Sequence, residues 1–416
     1  MKRLTLLLLG LALGVSATAG AQGLTMQMSN GWSFSFSGNV NAFWVFSKVN
    51  NSGPANSSVR TGLLPAFATF SASGKEAGLV LGVHFGFAPQ IQNGPSHDQF
   101  GNITAGGNGG IQAGAQIDMR QVYLTIGLKD GSTILAGREL GLFGRQNILQ
   151  DMTLFGVGAV GIGGGQAKGT TLGRIAYGYI YPNFDAQVTY STKPGQAQLS
   201  IGLFQPSVLG SSILGGGTNT YQFTKIPRVE GEFSYNQKSG KNNYMFWVGG
   251  LWQSTSDSAS GGQSISSIGG TAGIKASMSD LSIVVSGYIG KGLGTGLLFS
   301  GFEKAGTAAT STETRSSDGG YAQIMYKLQP KTSVGLSWGF SRLKNNETAA
   351  PAGDGNKAVR SNVYSYTAGI YHQWTKSLKL VFEGTQEGTT GVNIGATPVA
   401  PGTKQIDISG GFMLFF

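Results

Sequence analysis

Between positions 32 and 46 every even position is apolar, and as far as 42 apolar and polar residues alternate strictly. Trp32, Phe34, Phe36, Gly38, Val40, Ala42, Trp44 and Phe46 take the even positions; Ser33, Ser35, Ser37, Asn39 and Asn41 open the odd ones. A repeat of two is the signature of a strand with one apolar face. The run exceeds a typical globular strand, and about 9 to 11 tilted residues suffice to cross a bilayer core. Aromatic residues at both ends of the apolar face fit the interfacial girdles of transmembrane barrels.

The same texture recurs along the chain. Further strands are expected at 59–72, 78–88, 116–128, 133–139, 171–192, 197–205, 228–236 and 243–255, then at 264–278, 281–290, 320–328, 332–342, 359–374, 378–387 and 403–416. The strand at 171–192 carries an irregularity at Pro182-Asn183; a turn there would move later loops to the other side. About sixteen strands result, with longer loops alternating with short turns such as Lys129-Asp130-Gly131-Ser132 and Gln329-Pro330-Lys331. Soluble sandwiches have no reason to sort loop lengths by parity. Outer-membrane barrels do, with short turns on the periplasmic side and an even strand count. The expected fold class is therefore all-β, a transmembrane antiparallel barrel whose first and last strands pair and leave no edge.

One stretch breaks the pattern. Residues 140–168, LGLFGRQNILQDMTLFGVGAVGIGGGQAK, lack strand alternation at either end yet carry Leu140, Leu142, Phe143, Ile148, Leu149, Met152, Leu154 and Phe155. So apolar a loop needs a surface to fold against, and the inside of a wide barrel offers one. It is expected to fold inward and narrow a water channel.

The N-terminus sets the compartment. Lys2 and Arg3 precede an apolar run, 4–15, and small residues ending Ala19-Gly20-Ala21. This is the form of a secretory signal peptide, expected to be cleaved after Ala21. The domain organisation is then signal peptide 1–21 and one barrel, 22–416. The apolar run is too short for a spanning helix. The 416 residues include 69 Gly, 23 Phe, 14 Tyr and no Cys, so no disulfide scaffold is available. Formal net charge is +10, of which Lys2 and Arg3 contribute two, leaving +8. Lysines and arginines are dispersed, without the basic run or stacking platform that nucleic-acid binding needs, and no nucleic-acid partner is expected.

Parity also sorts the charges. With Val229, Phe233 and Tyr235 facing lipid, Arg228, Glu230 and Glu232 face the lumen; Lys379 and Glu383 do so opposite Leu378, Leu380 and Phe382. Arg138 and Lys327 are read as inward, and Glu139 joins Arg138 at the mouth of the loop. Arg145 and Asp151 reach the lumen if the loop folds in. A lysine or arginine on the lipid face at mid-membrane would cost about 2 to 4 kcal/mol. Each of these charges is either a solvated wall residue or part of a solute filter.

Two catalytic-looking strings lack their context. Gly156-Val157-Gly158-Ala159-Val160-Gly161 matches GxGxxG but precedes more glycine rather than a helix. Gly335-Leu336-Ser337-Trp338-Gly339 matches GxSxG, but Ser337 sits inside strand alternation. His84, His97 and His372 lie on separate segments without ligand spacing. No enzyme activity, cofactor or metal is expected.

The opening strand, the run GRELGLFGRQ (137–146) leading into a long third loop, and the ending ISGGFMLFF together resemble the general porins of Gram-negative bacteria, especially the betaproteobacterial type. The likeness spans the mature chain. It implies a homotrimeric sixteen-stranded channel in the outer membrane, among outer-membrane lipid and lipopolysaccharide. The enterobacterial porins carry a PEFGG-like tip on the third loop, where this chain has Asp151-Met152-Thr153-Leu154-Phe155-Gly156. The resemblance also makes the terminal strand, with Phe412, Leu414 and Phe416 on one face, the signal read by the barrel-assembly machinery. Passive diffusion of small hydrophilic solutes and ions, with a weak anion preference, is the function expected. The alternative is a barrel acting mainly as a surface adhesin or anchor through its long loops.

Overall fold

The computed structural model describes residues 23–50, 55–92, 117–162, 170–207, 221–257, 264–299, 314, 316–344, 360–391 and 402–416. The signal peptide expected at 1–21, His97, and part of each long loop lie outside the described residues.

Sixteen antiparallel strands close into a barrel. In chain order they are β1 (Ser33–Val49), β2 in two pieces (Asn56–Arg60 and Phe67–Glu76), β3 (Leu79–Pro89), β4 (Ile117–Gly127), β5 (Thr133–Leu140), β6 (Phe184–Ser191), β7 (Ala197–Phe204) and β8 (Arg228–Ser239). The second half comprises β9 (Asn242–Asp257), β10 (Ser264–Met278), β11 (Leu281–Lys291), β12 (Ser316–Gln329), β13 (Thr332–Lys344), β14 (Arg360–Gln373), β15 (Leu378–Gly391) and β16 (Lys404–Phe415). Two short pieces, Leu24–Gln27 and Tyr221–Phe223, extend the sheet at its rims. β16 pairs with β1, Phe412 opposite Ala42. The backbone groups of Gly38 and Phe416 exchange hydrogen bonds of 2.9 and 3.0 Å, sealing the ring. Every strand thus has two neighbours, which removes the exposed edges that invite aggregation.

The wall keeps the expected parity. On β9, Phe246 and Val248 are 44% and 42% exposed, while Trp247 between them is 1% exposed. On β1, Val40 and Trp44 face out; Asn39, Asn41, Phe43, Val45 and Ser47 are buried on the other face. Short connections join alternate pairs. Ala77-Gly78 and Ser279-Asp280 turn with positive φ at Ala77 (49°), Gly78 (80°) and Ser279 (53°), and at 128–132 the Asp130 carboxylate accepts the Ser132 N–H at 2.9 Å.

Two expected strands differ. The strand anticipated at 59–72 is interrupted at 61–66, where Leu63 and Leu64 donate their N–H groups to Gly156 and Leu154 instead of to a neighbouring strand. The strand anticipated at 171–192 starts only at Phe184. Residues 171–183 form tight turns and isolated bridges, with left-handed backbone at Ala176 (φ 69°) and Asn183 (φ 59°). Alternating Tyr177, Tyr179 and Tyr181 imitate a strand, but Tyr177 and Tyr179 are buried on non-strand backbone. The long segment between β5 and β6 therefore runs from 141 to 183, and the strand count stays at sixteen.

A continuous apolar cluster joins this segment to the wall. Ile148, Leu154, Val157, Ile175 and Tyr179 of the segment pack with Phe43, Trp247, Val284, Tyr321, Tyr371, Val381 and Met413 from seven different strands. Burying side chains of this size contributes about 1.5–3 kcal/mol each.

Candidate pore constriction

The segment begins with a turn at Gly144 (φ 80°), a short helix, Arg145–Leu149, and a 3-10 turn, Met152–Phe155. Asp151 caps that turn. One of its oxygens accepts the Thr153 N–H at 2.9 Å; the other accepts the Thr153 hydroxyl and the Tyr179 hydroxyl, each at 2.8 Å. Burial pushes the Asp151 carboxyl above its ordinary range, and the nearby Arg174 charge opposes that rise.

Wall carboxylates clasp the segment at both ends. On β8, one oxygen of Glu230 accepts the N–H groups of Leu142 (2.8 Å) and Phe143 (2.9 Å), and the other accepts Arg228 Nε at 2.8 Å. Arg228 also pairs with Asp185. Glu232 accepts Arg145 Nη2 at 2.6 Å and Gln146 Nε2 at 3.1 Å. On β15, Glu383 accepts the N–H groups of Val157 (2.7 Å) and Gly158 (2.8 Å) and the Tyr371 hydroxyl (2.6 Å). Four residues further along the same strand, Glu387 accepts the N–H groups of Val160 (2.6 Å) and Gly161 (3.0 Å) and the Tyr177 hydroxyl. Hydrogen bonds to an ionised acceptor are roughly twice as strong as neutral ones.

Polar side chains fix the middle. The Asn147 amide donates to Thr271 Oγ1 and accepts from Trp247 Nε1, both at 2.8 Å. Gln323 receives the Met152 N–H at 2.9 Å and donates to the Gln150 carbonyl at 2.8 Å. Arg174, fully buried, donates to Ser337 and to Ser365, the latter at 2.9 Å; burial lowers its guanidinium pKa. Inward side chains at this level, among them Asn41, Gln121, Gln187, Glu230, Thr271 and Gln323, are each at most 6% exposed. Of these, Glu230, Thr271 and Gln323 bond directly to the segment.

The sequence-selected charges divide accordingly. Arg228, Glu230, Glu232 and Glu383 lie on the inward face; the three carboxylates hold the segment, and Arg228 pairs with Glu230 and Asp185. Arg145 and Asp151 belong to the segment itself. Glu139 is buried, accepting Gln121 Nε2 at 2.8 Å and the Leu140 N–H at 2.7 Å. Lys327 and Lys379 line a cavity of about 800 Å³ on the short-turn side of the segment, with Lys379 Nζ 4.2 Å above the Phe155 ring. Arg138 is the exception. It pairs across the sheet with Val122 and Ala186, shares the outward face with exposed Leu124 and Val188, and is itself exposed. The expectation that it points inward fails because Leu135 is the inward residue of β5, opposite Thr125 and Thr189. An apolar inward residue misleads any register set by hydrophobicity. At the C-terminus Phe412 and Leu414 face outward, and the Phe416 ring lies 5.1 Å from that of Phe36.

Lys275 was not anticipated: its ammonium donates to Gln150 Oε1 at 2.9 Å at the rim of the same cavity. Glu387 was also missed. Its signal was present in the glycine-rich string 156–161. Such backbone exposes N–H groups to an anion, and here the anions are the protein's own carboxylates. Gly156 lies close enough to Glu383 that a Cβ would sit 2.2 Å from its Oε1. Of the histidines, His84 bonds to Ser71 and Gln121, and His372 to Thr332. Among the described residues no cluster of His, Asp and Glu could hold a metal ion.

No protein-family model matches the chain, and no curated protein matches its sequence. Solved structures do. The outer-membrane channel DcaP of Acinetobacter baumannii aligns with a TM-score of 0.62 at 11% identity, over 94% of this chain and 99% of that one. The anion-selective porin from Comamonas acidovorans aligns with a TM-score of 0.60 at 12% identity, over 92% and 100%. OmpT, an outer-membrane protein of Vibrio cholerae in its trimer form, gives 0.53 at 13% identity, over 93% and 100%. Likeness at this identity establishes the fold alone: the chain is a closed antiparallel barrel built like these outer-membrane channels and porins.

Proposed function

We propose that the protein is an outer-membrane channel of a Gram-negative bacterium. It passes small hydrophilic solutes and ions by passive diffusion, with the 141–183 segment as its constriction. The carrying observation is a closed sixteen-stranded barrel in which one segment is clasped to inward positions on opposite walls. Barrels of this size have room for a lumen, whereas eight-stranded ones fill with their own side chains.

A weak anion preference follows from the cavity below the segment. Arg145, Lys275, Lys327, Lys331 and Lys379 line it, against the single carboxylate of Asp151. Such rings of cations favour anions. Arg138, on the outer face, takes no part. Export by the 1–21 signal peptide, recognition of the last strand by the assembly machinery, and homotrimer formation complete the reading. The trimeric OmpT of like fold supports the last of these.

Liposome swelling tests it. Proteoliposomes should swell in small neutral sugars at rates that fall with sugar size. Swelling no faster than in protein-free liposomes for every sugar would refute the reading.

A further inference from the structure

The cavity on the short-turn side differs from the rest of the lumen in how its charges are balanced. Several guanidinium groups meet carboxylates: Arg120 with Asp118, Arg228 with Asp185 and Glu230, Arg342 with Asp318, and, at the edge of the cavity itself, Arg145 with Glu232. Around the cavity stand four lysines, Lys275, Lys327, Lys331 and Lys379, and among the described residues none forms a salt bridge. Lys275 reaches only the neutral Gln150 amide, and Lys331 the Trp374 carbonyl at 3.4 Å. Lys379 lies over the Phe155 ring. The one carboxylate on the lining, Asp151, is already occupied by Thr153 and Tyr179. Lys275 and Lys379 are also half-buried. Ammonium groups that have lost part of their water without gaining a counter-charge favour an incoming anion.

The roof of the cavity has a second character. Leu149, Met152 and Phe155 descend from the segment, and Met245 and Met325 join them from the wall. Methionines fit ligands of varied outline and make favourable contacts with aromatic rings. At about 800 Å³ the space lies within the range of small-molecule sites.

We propose that this cavity is a binding site for an amphiphilic organic anion: a carboxylate or sulfonate carried on a compact aromatic or branched body. Its charged group pairs with a lysine of this lining, Lys275, Lys327 or Lys379, and its apolar body lies against Met152, Phe155 and Met325. A fully hydrated inorganic anion would satisfy the lysines but gain nothing from the apolar roof. This deepens the channel reading by naming a solute class held beneath the constriction, yet binding itself needs no conduction.

The test is calorimetric titration of the full chain in lipid nanodiscs, with empty nanodiscs as the blank. The probes are 2-naphthalenesulfonate, neutral 2-naphthol and sodium sulfate. The sulfonate should bind saturably, once per protomer, and at least tenfold more tightly than sulfate; naphthol should match the blank. Lys275→Gln with Lys379→Gln should weaken the sulfonate at least tenfold, and Met325→Gln should weaken it while leaving sulfate unchanged. Heat-modifiable migration on gels checks that each variant is folded. Sulfonate binding equal to sulfate, or unaltered in both variants, would overturn the proposal without touching the channel reading. A chain that binds the sulfonate but never causes liposome swelling would sink the channel reading alone.

Discussion

Removing the β15 clasp should loosen the constriction while sparing the barrel. The perturbation is Glu383→Ala combined with Glu387→Ala. It withdraws acceptors from four backbone N–H groups, those of Val157, Gly158, Val160 and Gly161, and from the hydroxyls of Tyr371 and Tyr177. A hydrogen bond to a charged partner contributes about 1.5–3 kcal/mol net. The donors on each carboxylate share one charge, and removing that charge also relieves its desolvation. Counting each carboxylate once, at about 2 kcal/mol, gives about 4 kcal/mol for the pair. At about 1.4 kcal/mol per tenfold, displaced positions of this stretch become roughly a thousandfold more populated. The apolar contacts of Leu154, Val157 and Val160 remain, so the segment loosens rather than leaves. The strand ladder is untouched, and heat-resistant migration should persist. Single-channel recording in planar bilayers should show larger and noisier conductance than wild type, and limited proteolysis should cut within 156–162 of the folded barrel. Conductance and noise indistinguishable from wild type, in a folded double variant, would mean that the clasped stretch does not limit the pathway.

Other consequences are simpler to read. Lys327→Glu with Lys379→Glu changes the charge lining the cavity by four and should turn the zero-current potential towards cations, more at 0.1 M than at 1 M salt, since the Debye length falls from about 10 to about 3 Å. A potential that does not move would remove these lysines from the filter. Arg138→Ala should leave the zero-current potential unchanged, because that side chain faces outward; a shift like that of the lysine variant would contradict its register. Deleting Phe416 removes a ring 5.1 Å from Phe36 and the backbone pairing with Gly38, and should lower the yield of heat-modifiable barrel; normal yield would argue against its role in assembly.

The barrel was legible because its rules are local. Period-two alternation and the sorting of turns by length need no knowledge of distant partners, and they carried β1, β15 and β16 to the correct faces. The constriction was only half legible. Parity placed Glu230, Glu232 and Glu383 inward, but parity is silent about what waits there, and their partners in the segment lie 86 to 226 residues away in the chain. Arg138 was misplaced because Leu135 is apolar yet inward. The clue to both errors lies in strands that are apolar on two faces. Ala42-Phe43-Trp44-Val45-Phe46 and Met245-Phe246-Trp247-Val248 leave Phe43, Val45 and Trp247 facing the interior. A water-filled lumen would not favour such residues, but packed protein does. The end of the segment was hidden for a different reason, since tyrosines at every second position imitate a strand, while left-handed backbone at Gly173, Ala176 and Asn183 breaks it.

The central claim, that this barrel is a solute channel constricted by the clasped segment, is tested most directly by current. Purified protein in a planar bilayer under a KCl gradient should give discrete conductance steps with a zero-current potential of the sign set by chloride, and the clasp-free variant should give larger steps. Silent bilayers from folded, heat-modifiable protein, in both wild type and the Glu383→Ala, Glu387→Ala variant, would contradict it.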